Sequence, residues 1–286
     1  MIVVAGGSGR LGQLIVTDLL TRGEHVRVLV RDTQRARALL GPGVEVLAGD
    51  VRRAAELRPL VDGASVVISA MHGFLGGRGA GPSEVDRVGN ANLVNAAKSA
   101  DAAVVLVSVL GAAADSPAEL FRAKHAAEQQ LRASGAAWTI VRAGPFLETW
   151  LGILIQTGGK SGRPLIFGRG AQPIPFVSAE DVAAAVRAAV TDPTLAGRIL
   201  EVAGRPITMN EFASALQAAR GWQGSARHVP RPVLRALSIL AHPINPAFAR
   251  QNGTALLMDT AALAADPAES SAPGLPRRTL TDVLNS

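Results

Sequence analysis

The chain has 286 residues, a formal net charge of +6, and neither cysteine nor tyrosine. Apolar residues make up 48% and charged residues 18%, which is typical of a globular protein and excludes a disordered chain. The lack of cysteine excludes disulfides, thiolate metal sites and cysteine nucleophiles. The basic residues are scattered rather than gathered into a recognisable motif, so we expect no nucleic-acid partner.

The N-terminus begins an apolar strand at its second residue and has no charged region that precedes a cleavage site, so we expect no signal peptide. No apolar run approaches the ~18 residues that span a bilayer. We therefore expect a cytoplasmic protein, either a monomer or a homodimer, with a small-molecule substrate and no membrane partner. The histidines and carboxylates lack the spacing of metal ligands, so we also expect no metal.

The first predicted element is a strand over residues 2–5, which runs directly into the glycine loop 6–12, GGSGRLG. Gly6, Gly9 and Gly12 let the backbone turn tightly and approach a pyrophosphate, and the following helix offers it free N–H groups. A similar glycine turn occurs in other α/β proteins. A strand before the loop and an amphipathic helix after it are the context that favours a dinucleotide site.

Arg31 follows the second predicted strand, 26–30, at the position that selects the cofactor. An acidic residue there binds the ribose 2′-hydroxyl of NAD, whereas an arginine accommodates the 2′-phosphate of NADP. We expect NADP(H) to be preferred over NAD(H), with Arg35 and Arg10 adding positive charge. Asp32 is a candidate for the NAD role, and Arg31 can also be interpreted as an ordinary surface arginine.

Further predicted strands cover 44–47, 66–69, 104–107 and 138–141, and predicted helices cover 11–22, 34–40, 54–60, 85–100 and 118–134. Ser83 with Asp86, and Ser116 with Pro117 and Glu119, are typical helix starts. In the second half, Ser178 opens a helix over 179–190, a strand covers 198–202, and Thr208 with Glu211 opens a helix to about Arg220.

This alternation predicts an α/β fold with a doubly wound parallel (Rossmann) sheet and a smaller C-terminal lobe. We expect a dinucleotide-binding domain over 1–150 and a substrate lobe over 151–286, with 174–202 rejoining the first domain. Ligands then lie beyond the carboxyl ends of the strands.

The residues that follow the predicted strands are the remaining candidates. Asp50 is either an acceptor for the adenine amino group or a turn residue. His72 lies in the glycine-rich loop 71–82, where a lone histidine is either structural or catalytic. Lys124 shares the apolar stripe of its helix, so it either extends its amine to solvent or has a partner such as a bound ribose.

Several stretches resemble the atypical short-chain dehydrogenase/reductases, in particular the NmrA-like, NAD(P)H-binding branch with its quinone-reductase and isoflavone-reductase relatives. They are GGSGRLG, LVRD (29–32), GNANLVNAAKSA (89–100), VLVSVLGA (105–112), the segment 121–149 and PFVSAEDVAAAV (175–186). The resemblance implies that Ser108 and Lys124 match the catalytic serine and lysine, and that Pro145 and Phe146 lie near the nicotinamide.

These considerations define the predicted site. We expect cofactor contacts from Gly6, Gly9, Arg10, Leu11, Gly12, Arg31, Arg35, Asp50, Val51, Ser69, Ala70, Met71, Ser108, Lys124, Pro145 and Phe146. We expect catalysis from Lys124, Ser108 and His72, and a substrate pocket from His72, Phe74, Leu110, Phe146 and Trp150.

The chain departs from the superfamily at the proton donor. The usual tyrosine, four residues before the lysine, is Leu120 here. The resemblance therefore implies either an NADPH-dependent reductase of quinones, enones or similar carbonyl acceptors, or a non-catalytic NADP(H)-binding redox sensor. An epimerase is less favoured, because it also requires the missing acid–base group.

Overall fold

A computed structural model describes residues 1–263, 270–271, 275 and 278–285. Its strands are β1 (Ile2–Ala5), β2 (Val26–Val30), β3 (Glu45–Ala48), β4 (Val66–Ser69), β5 (Ala103–Val109), β6 (Trp138–Ala143), β7 (Leu165–Phe167), β8 (Pro173–Ile174), β9 (Ile199–Val202), β10 (Ile207–Thr208), β11 (Arg227–Val229) and β12 (Ser270–Ser271). Its α-helices are α1 (Arg10–Thr21), α2 (Thr33–Leu40), α3 (Ala54–Val61), α4 (Asn90–Ser99), α5 (Glu119–Ala133), α6 (Leu147–Gly158), α7 (Ala179–Thr191), α8 (Met209–Arg220), α9 (Arg231–Leu240), α10 (Pro246–Thr260) and α11 (Leu280–Leu284).

The predicted doubly wound sheet is confirmed. Its strands are all parallel, in the order β12-β9-β6-β5-β4-β1-β2-β3. Helices α1 and α7 pack together on one face, and α3, α4 and α5 cover the other. The central strands are buried on both faces, which is why they are short continuous runs of Val, Ile and Leu.

The chain order reverses beside β1, since β2 lies on one side of it and β4 on the other. In open parallel sheets this switch point is where the ends of neighbouring strands diverge and leave a crevice for a ligand. The glycine loop after β1 and the loop after β4 therefore face the same crevice.

The C-terminal segments form a third apolar core outside the sheet. It is built from α6, α8 and α10, and includes Leu154, Phe176, Phe212 and Met258. By contrast, β9 pairs with β6 and α7 packs on α1, so residues 179–202 belong to the sheet layers. The division into domains at residue 150 stays a prediction.

Helices begin within two residues of both predicted starts, but no side chain caps either of them. Residues Ser83–Gly89 form a π-helix that leads into α4, and the Asp86 carboxylate pairs with Lys124. Helix α5 begins at Glu119 rather than at 118, and the Ser116 hydroxyl accepts a hydrogen bond from the Ala118 amide in the preceding turn. The capping box of Thr208 and Glu211 is confirmed.

Candidate functional site

The glycine loop after β1 has the geometry of a phosphate-binding turn. Gly6 has φ +88°, and a Cβ there would lie 2.8 Å from the Ala70 backbone. A Cβ on Gly12 would lie 2.2 Å from the Gly6 carbonyl oxygen, so the helix start can pack this closely only with glycine. A Cβ on Gly9 would meet only the Gly6 carbonyl, at 3.4 Å. The protein's own packing therefore requires glycine at 6 and 12, whereas at 9 it leaves open space above the backbone.

The start of α1 is suited to an anion. Gly9 is its N-cap and provides no side-chain acceptor, and the first turn contains no acidic residue. The Arg10 side chain is exposed, while that of Leu11 is buried in the core, so Leu11 offers only its backbone to the loop. Unfilled N–H groups at a helix start attract phosphate oxygens. These residues fit the pyrophosphate of a dinucleotide.

The end of β2 presents Arg31 with its guanidinium exposed. Asp32 is used differently, since its carboxylate accepts a hydrogen bond from the Arg35 amide, 2.9 Å away, and caps α2. Among the residues that the structure describes, neither Arg31 nor Arg35 forms a salt bridge. Two cations that lack a partner beside the switch point fit the 2′-phosphate of NADP, while a carboxylate engaged in a cap is a poor partner for a ribose hydroxyl.

Asp50 follows β3 and lies beside a second arginine. Its carboxylate accepts hydrogen bonds from the Arg52 amide and guanidinium, and these bonds, together with the more distant charge of Arg31, lower the pKa of Asp50 to about 2. The Arg52 guanidinium also donates to the Gly79 carbonyl. The two residues line an open cleft of about 440 Å³ with Glu84 and Val88. The adenine role of Asp50 stays a prediction.

Val51 lies against the π-helix. Its carbonyl accepts a hydrogen bond from the Asn92 side chain, and its side chain occupies the space where a Cβ on Gly89 would lie. Val51 therefore fixes the wall of the cleft, and its predicted contact with the cofactor stays a prediction.

At the end of β4, two of the three predicted cofactor contacts have inward side chains. The Ser69 hydroxyl donates to the Asn90 side chain at 2.6 Å in a fully buried position, and the Met71 side chain is part of the core. The backbone of Ala70 and the Met71 amide pack against Gly6. If the end of this strand contacts a ligand, it therefore does so through backbone atoms.

Lys124 is buried, and its amine is held by two hydrogen bonds and one ion pair within the protein. Its Nζ donates to the Met71 and Val107 carbonyls at 2.9 Å each, and it lies 3.0 Å from an Asp86 carboxylate oxygen. The two side chains are 4% and 0% exposed. The sequence left open whether this lysine extends to solvent or has a partner such as a bound ribose. The structure supplies Asp86 instead, from a π-helix that the sequence did not predict.

The same ion pair holds the backbone on both sides of His72. Lys124 binds the Met71 carbonyl, and the other Asp86 oxygen accepts from the Gly73 amide at 2.7 Å. His72 is itself exposed. Desolvation by the surrounding protein lowers the pKa of its imidazole, while the charge of Asp86 opposes this shift and that of Lys124 adds to it. His72 is thereby placed at a fixed position with its imidazole largely neutral near pH 7.

The loop after His72 is attached to the C-terminal lobe by an arginine that sequence analysis missed. Arg250 of α10 donates to the carbonyls of Phe74 and Gly76 and lies 3.7 Å from Glu119. Arg78 donates to the Pro243 carbonyl. No local pattern signals these contacts, since their partners are more than 100 residues apart in the chain.

Ser108 belongs to a buried polar row rather than to the crevice. Its hydroxyl donates to the Glu128 carboxylate at 2.5 Å, and Arg142 pairs with Glu128 and with Glu201. The hydrogen bonds that Arg142 donates to Glu128, and then the one to Glu201, raise the pKa of Arg142, so its charge is permanent. The predicted catalytic role of Ser108 would require it to leave this row.

The predicted substrate walls are divided between different parts of the molecule. Leu110 is fully buried, and Trp150 packs edge-on to Phe167 and Phe176 in the C-terminal core. The Pro145 carbonyl accepts from the Val177 amide, and Phe146 begins α6 against the sheet core. Phe74 and His72 share the loop above the crevice. Leu110 and Trp150 are thus not brought together with His72.

Among the described residues, no group of three or more histidines, aspartates or glutamates is arranged to hold a metal ion. Across the same residues, the helices are all too short or too polar to cross a bilayer.

The comparisons with known proteins agree with this fold. The model of the NmrA-like family matches residues 1–261. An NAD(P)H azoreductase of Xenophilus azovorans is 33% identical over 226 residues, which cover 77% of this chain and 74% of that protein. The chain therefore belongs to the NmrA-like family. Solved structures share the fold: the NADPH complex of an Escherichia coli quinone oxidoreductase (TM-score 0.78, 21% identical, 100% and 99% covered) and the NADP(H) complex of a Citrobacter sp. triphenylmethane reductase (TM-score 0.76, 20% identical, 94% and 93% covered).

Proposed function

We propose that this protein reduces a quinone, an enone or a similar acceptor by hydride transfer from NADPH. It is an NAD(P)H-dependent oxidoreductase, the class to which its azoreductase relative and its structural neighbours belong by name. The choice of NADPH is supported by Arg31, whose exposed guanidinium lies at the end of β2 while the neighbouring Asp32 caps α2.

The observation that carries the choice of acceptor is the state of the acid–base residues. The chain has no tyrosine, and the buried Lys124 amine donates to the Met71 and Val107 carbonyls and lies beside the Asp86 carboxylate. A ketone reduced to an alcohol needs a proton at its oxygen as the hydride arrives. A quinone or enone does not, because its reduced form is a delocalised anion that takes a proton from water afterwards. The site therefore favours acceptors of this kind.

His72 is the residue that we assign to the acceptor. The Lys124–Asp86 pair fixes the backbone on either side of it, and its side chain is exposed in the loop that follows β4. With its lowered pKa, the neutral imidazole donates one N–H to the oxygen on which negative charge develops. NADPH supplies the hydride, and the balance is acceptor plus NADPH plus one proton from solvent, giving reduced acceptor and NADP⁺.

Stopped-flow measurement of NADPH oxidation against a panel of quinones and enones tests the proposal. We expect turnover with quinones, a fall in kcat of about 10- to 100-fold in His72→Ala, and near-normal kcat in His72→Asn, which keeps an N–H donor. NADPH affinity should be unchanged in both variants. An unchanged kcat in His72→Ala would overturn the role of His72.

The alternative is a redox sensor that binds NADP(H) and catalyses nothing. It is favoured by the fact that Lys124 pairs with Asp86 and Ser108 with Glu128, both inside the protein. Tight NADPH binding with no turnover on any acceptor, together with a marked preference for NADP⁺, would support it against the reductase.

A further inference from the structure

We infer that the exposed apolar surface of α9, α10 and the turn between them docks onto an anionic lipid bilayer. We call it the α9–α10 surface. Its large apolar side chains are Val233 (44% exposed), Ile239 (64%), Leu240 (71%), Ile244 (87%) and Phe248 (42%). Apolar side chains that protrude this far are expected singly on a protein surface, and a continuous group of them marks a binding site.

The solvent face of α9 is almost wholly apolar. Leu234 is the residue that anchors this helix in the protein, and it is fully buried. The exposed positions are Pro232, Val233, Ala236, Ile239 and Leu240, with Arg235 as the charged residue among them. A helix that packs one apolar stripe against the core normally presents polar residues on its opposite side. Here the side that faces away from the protein is suited to an apolar environment.

The charge of the surrounding segment determines the kind of partner. The sequence contains no aspartate or glutamate between Glu211 and Asp259, although it contains arginines at 220, 227, 231, 235 and 250. Arg231 pairs with Asp259 and Arg250 with Glu119, whereas Arg235 is exposed beside the apolar face and forms no salt bridge within the described residues. An apolar face with a basic and acid-free margin is the pattern of helices that lie at the surface of anionic membranes.

A second copy of the chain fits this surface less well. In a two-fold dimer the same patch meets itself, so both Arg235 side chains would be enclosed in an apolar contact. The segment has no carboxylate to neutralise them. A bilayer provides both the apolar layer and the negative charge, and it therefore satisfies both parts of the surface.

The position of the surface relates it to the crevice. Arg78 donates to the Pro243 carbonyl in the turn between α9 and α10, and Arg250 of α10 holds the loop that follows His72. Leu75, in the same loop, is 63% exposed. Docking would thus bring the mouth of the crevice to the membrane surface, where apolar acceptors dissolve. This conclusion departs from the expected lack of a membrane partner, which rested on the absence of a spanning run.

Vesicle co-sedimentation of the full chain tests the inference without reference to activity. We expect binding to vesicles of phosphatidylglycerol and phosphatidylcholine in equal parts, weakening as salt is raised, and little binding to phosphatidylcholine alone. The double variant Leu240→Glu/Ile244→Glu should lower the partition coefficient by about tenfold or more. Arg235→Gln should weaken binding to the anionic vesicles only.

The matched control is Leu39→Glu, the same change at an exposed leucine of α2 (45% exposed), which should bind vesicles as the unaltered chain does. Unchanged NADPH affinity shows that each variant is folded. Equal sedimentation with both kinds of vesicle, or with neither, would overturn the inference. So would a dimer in analytical ultracentrifugation that the double variant dissociates, because the surface would then be an interface between copies.

Discussion

Lys124→Met should destabilise the fold before it affects any chemical step. Lys124 and Asp86 are 4% and 0% exposed and lie 3.0 Å apart, so the substitution leaves a buried carboxylate without its counter-charge. Removing one partner of a buried pair costs about 3–5 kcal/mol. The change also removes the donor of two 2.9 Å hydrogen bonds, to the carbonyls of Met71 and Val107. Methionine keeps most of the packing volume, so the cost is electrostatic.

The assay is urea denaturation of the two single variants and the double variant. Asp86→Asn retains an oxygen that accepts from the Gly73 amide, which the carboxylate does at 2.7 Å. It leaves the lysine charge without its counter-ion, so we expect about 3 kcal/mol of destabilisation. The double variant carries no uncompensated charge and should be about 2 kcal/mol more stable than the sum of the single effects implies.

Two outcomes would refute this reasoning. If Lys124→Met lowered the free energy of unfolding by less than about 1 kcal/mol, the ion pair with Asp86 would contribute little to stability. Strict additivity in the double variant would mean that the two charges do not interact. A variant that unfolds normally but has lost all turnover would instead assign Lys124 to the chemistry, as the family resemblance implies.

Three further predictions concern the crevice. Gly9→Val should leave the urea midpoint nearly unchanged but weaken NADPH binding more than tenfold in a fluorescence titration, because the valine side chain enters the open space above the loop. Gly12→Ala should instead destabilise the fold, because its Cβ would lie 2.2 Å from a carbonyl oxygen. Arg31→Ala should weaken NADPH about 10- to 100-fold and leave NADH unchanged, and equal losses would refute the 2′-phosphate role. The pKa of His72 is lowered from 6.5 in the folded state, so the unfolded chain binds more protons below that pH. His72 therefore costs no stability above pH 6.5, and the free energy of unfolding falls as the pH drops below that value. The urea midpoint should fall less on acidification in His72→Asn than in the unaltered chain.

Much of the fold and the cofactor loop was predictable, because both depend on local pattern. The strands from β1 to β6 were predicted to within a few residues, since buried parallel strands are short apolar runs. The glycine loop was predicted for the same reason, because Gly12 packs against Gly6 and Gly7 within the loop itself. The contact of Gly6 with the Ala70 backbone joins distant parts of the chain and was not signalled.

The partners of Lys124 and Ser108 were not predictable. Asp86 reaches the lysine only because Ser83–Gly89 forms a π-helix, and Glu128 reaches Ser108 only because α5 packs on β5. A sequence shows that a buried charge must have a partner, since burial without one is costly, but many residues could provide it.

The sequence by itself thus determined the sheet and the glycine turn, and it predicted the position that selects the cofactor, because each follows from the period or spacing of nearby residues. Only the tertiary structure decided that Lys124 is buried beside Asp86, that Arg250 binds the loop beside His72, and that α9 turns an apolar face to the outside. The physical reason is the same in each case. These contacts join residues that are distant in the chain, and their energies depend on burial, which the fold sets.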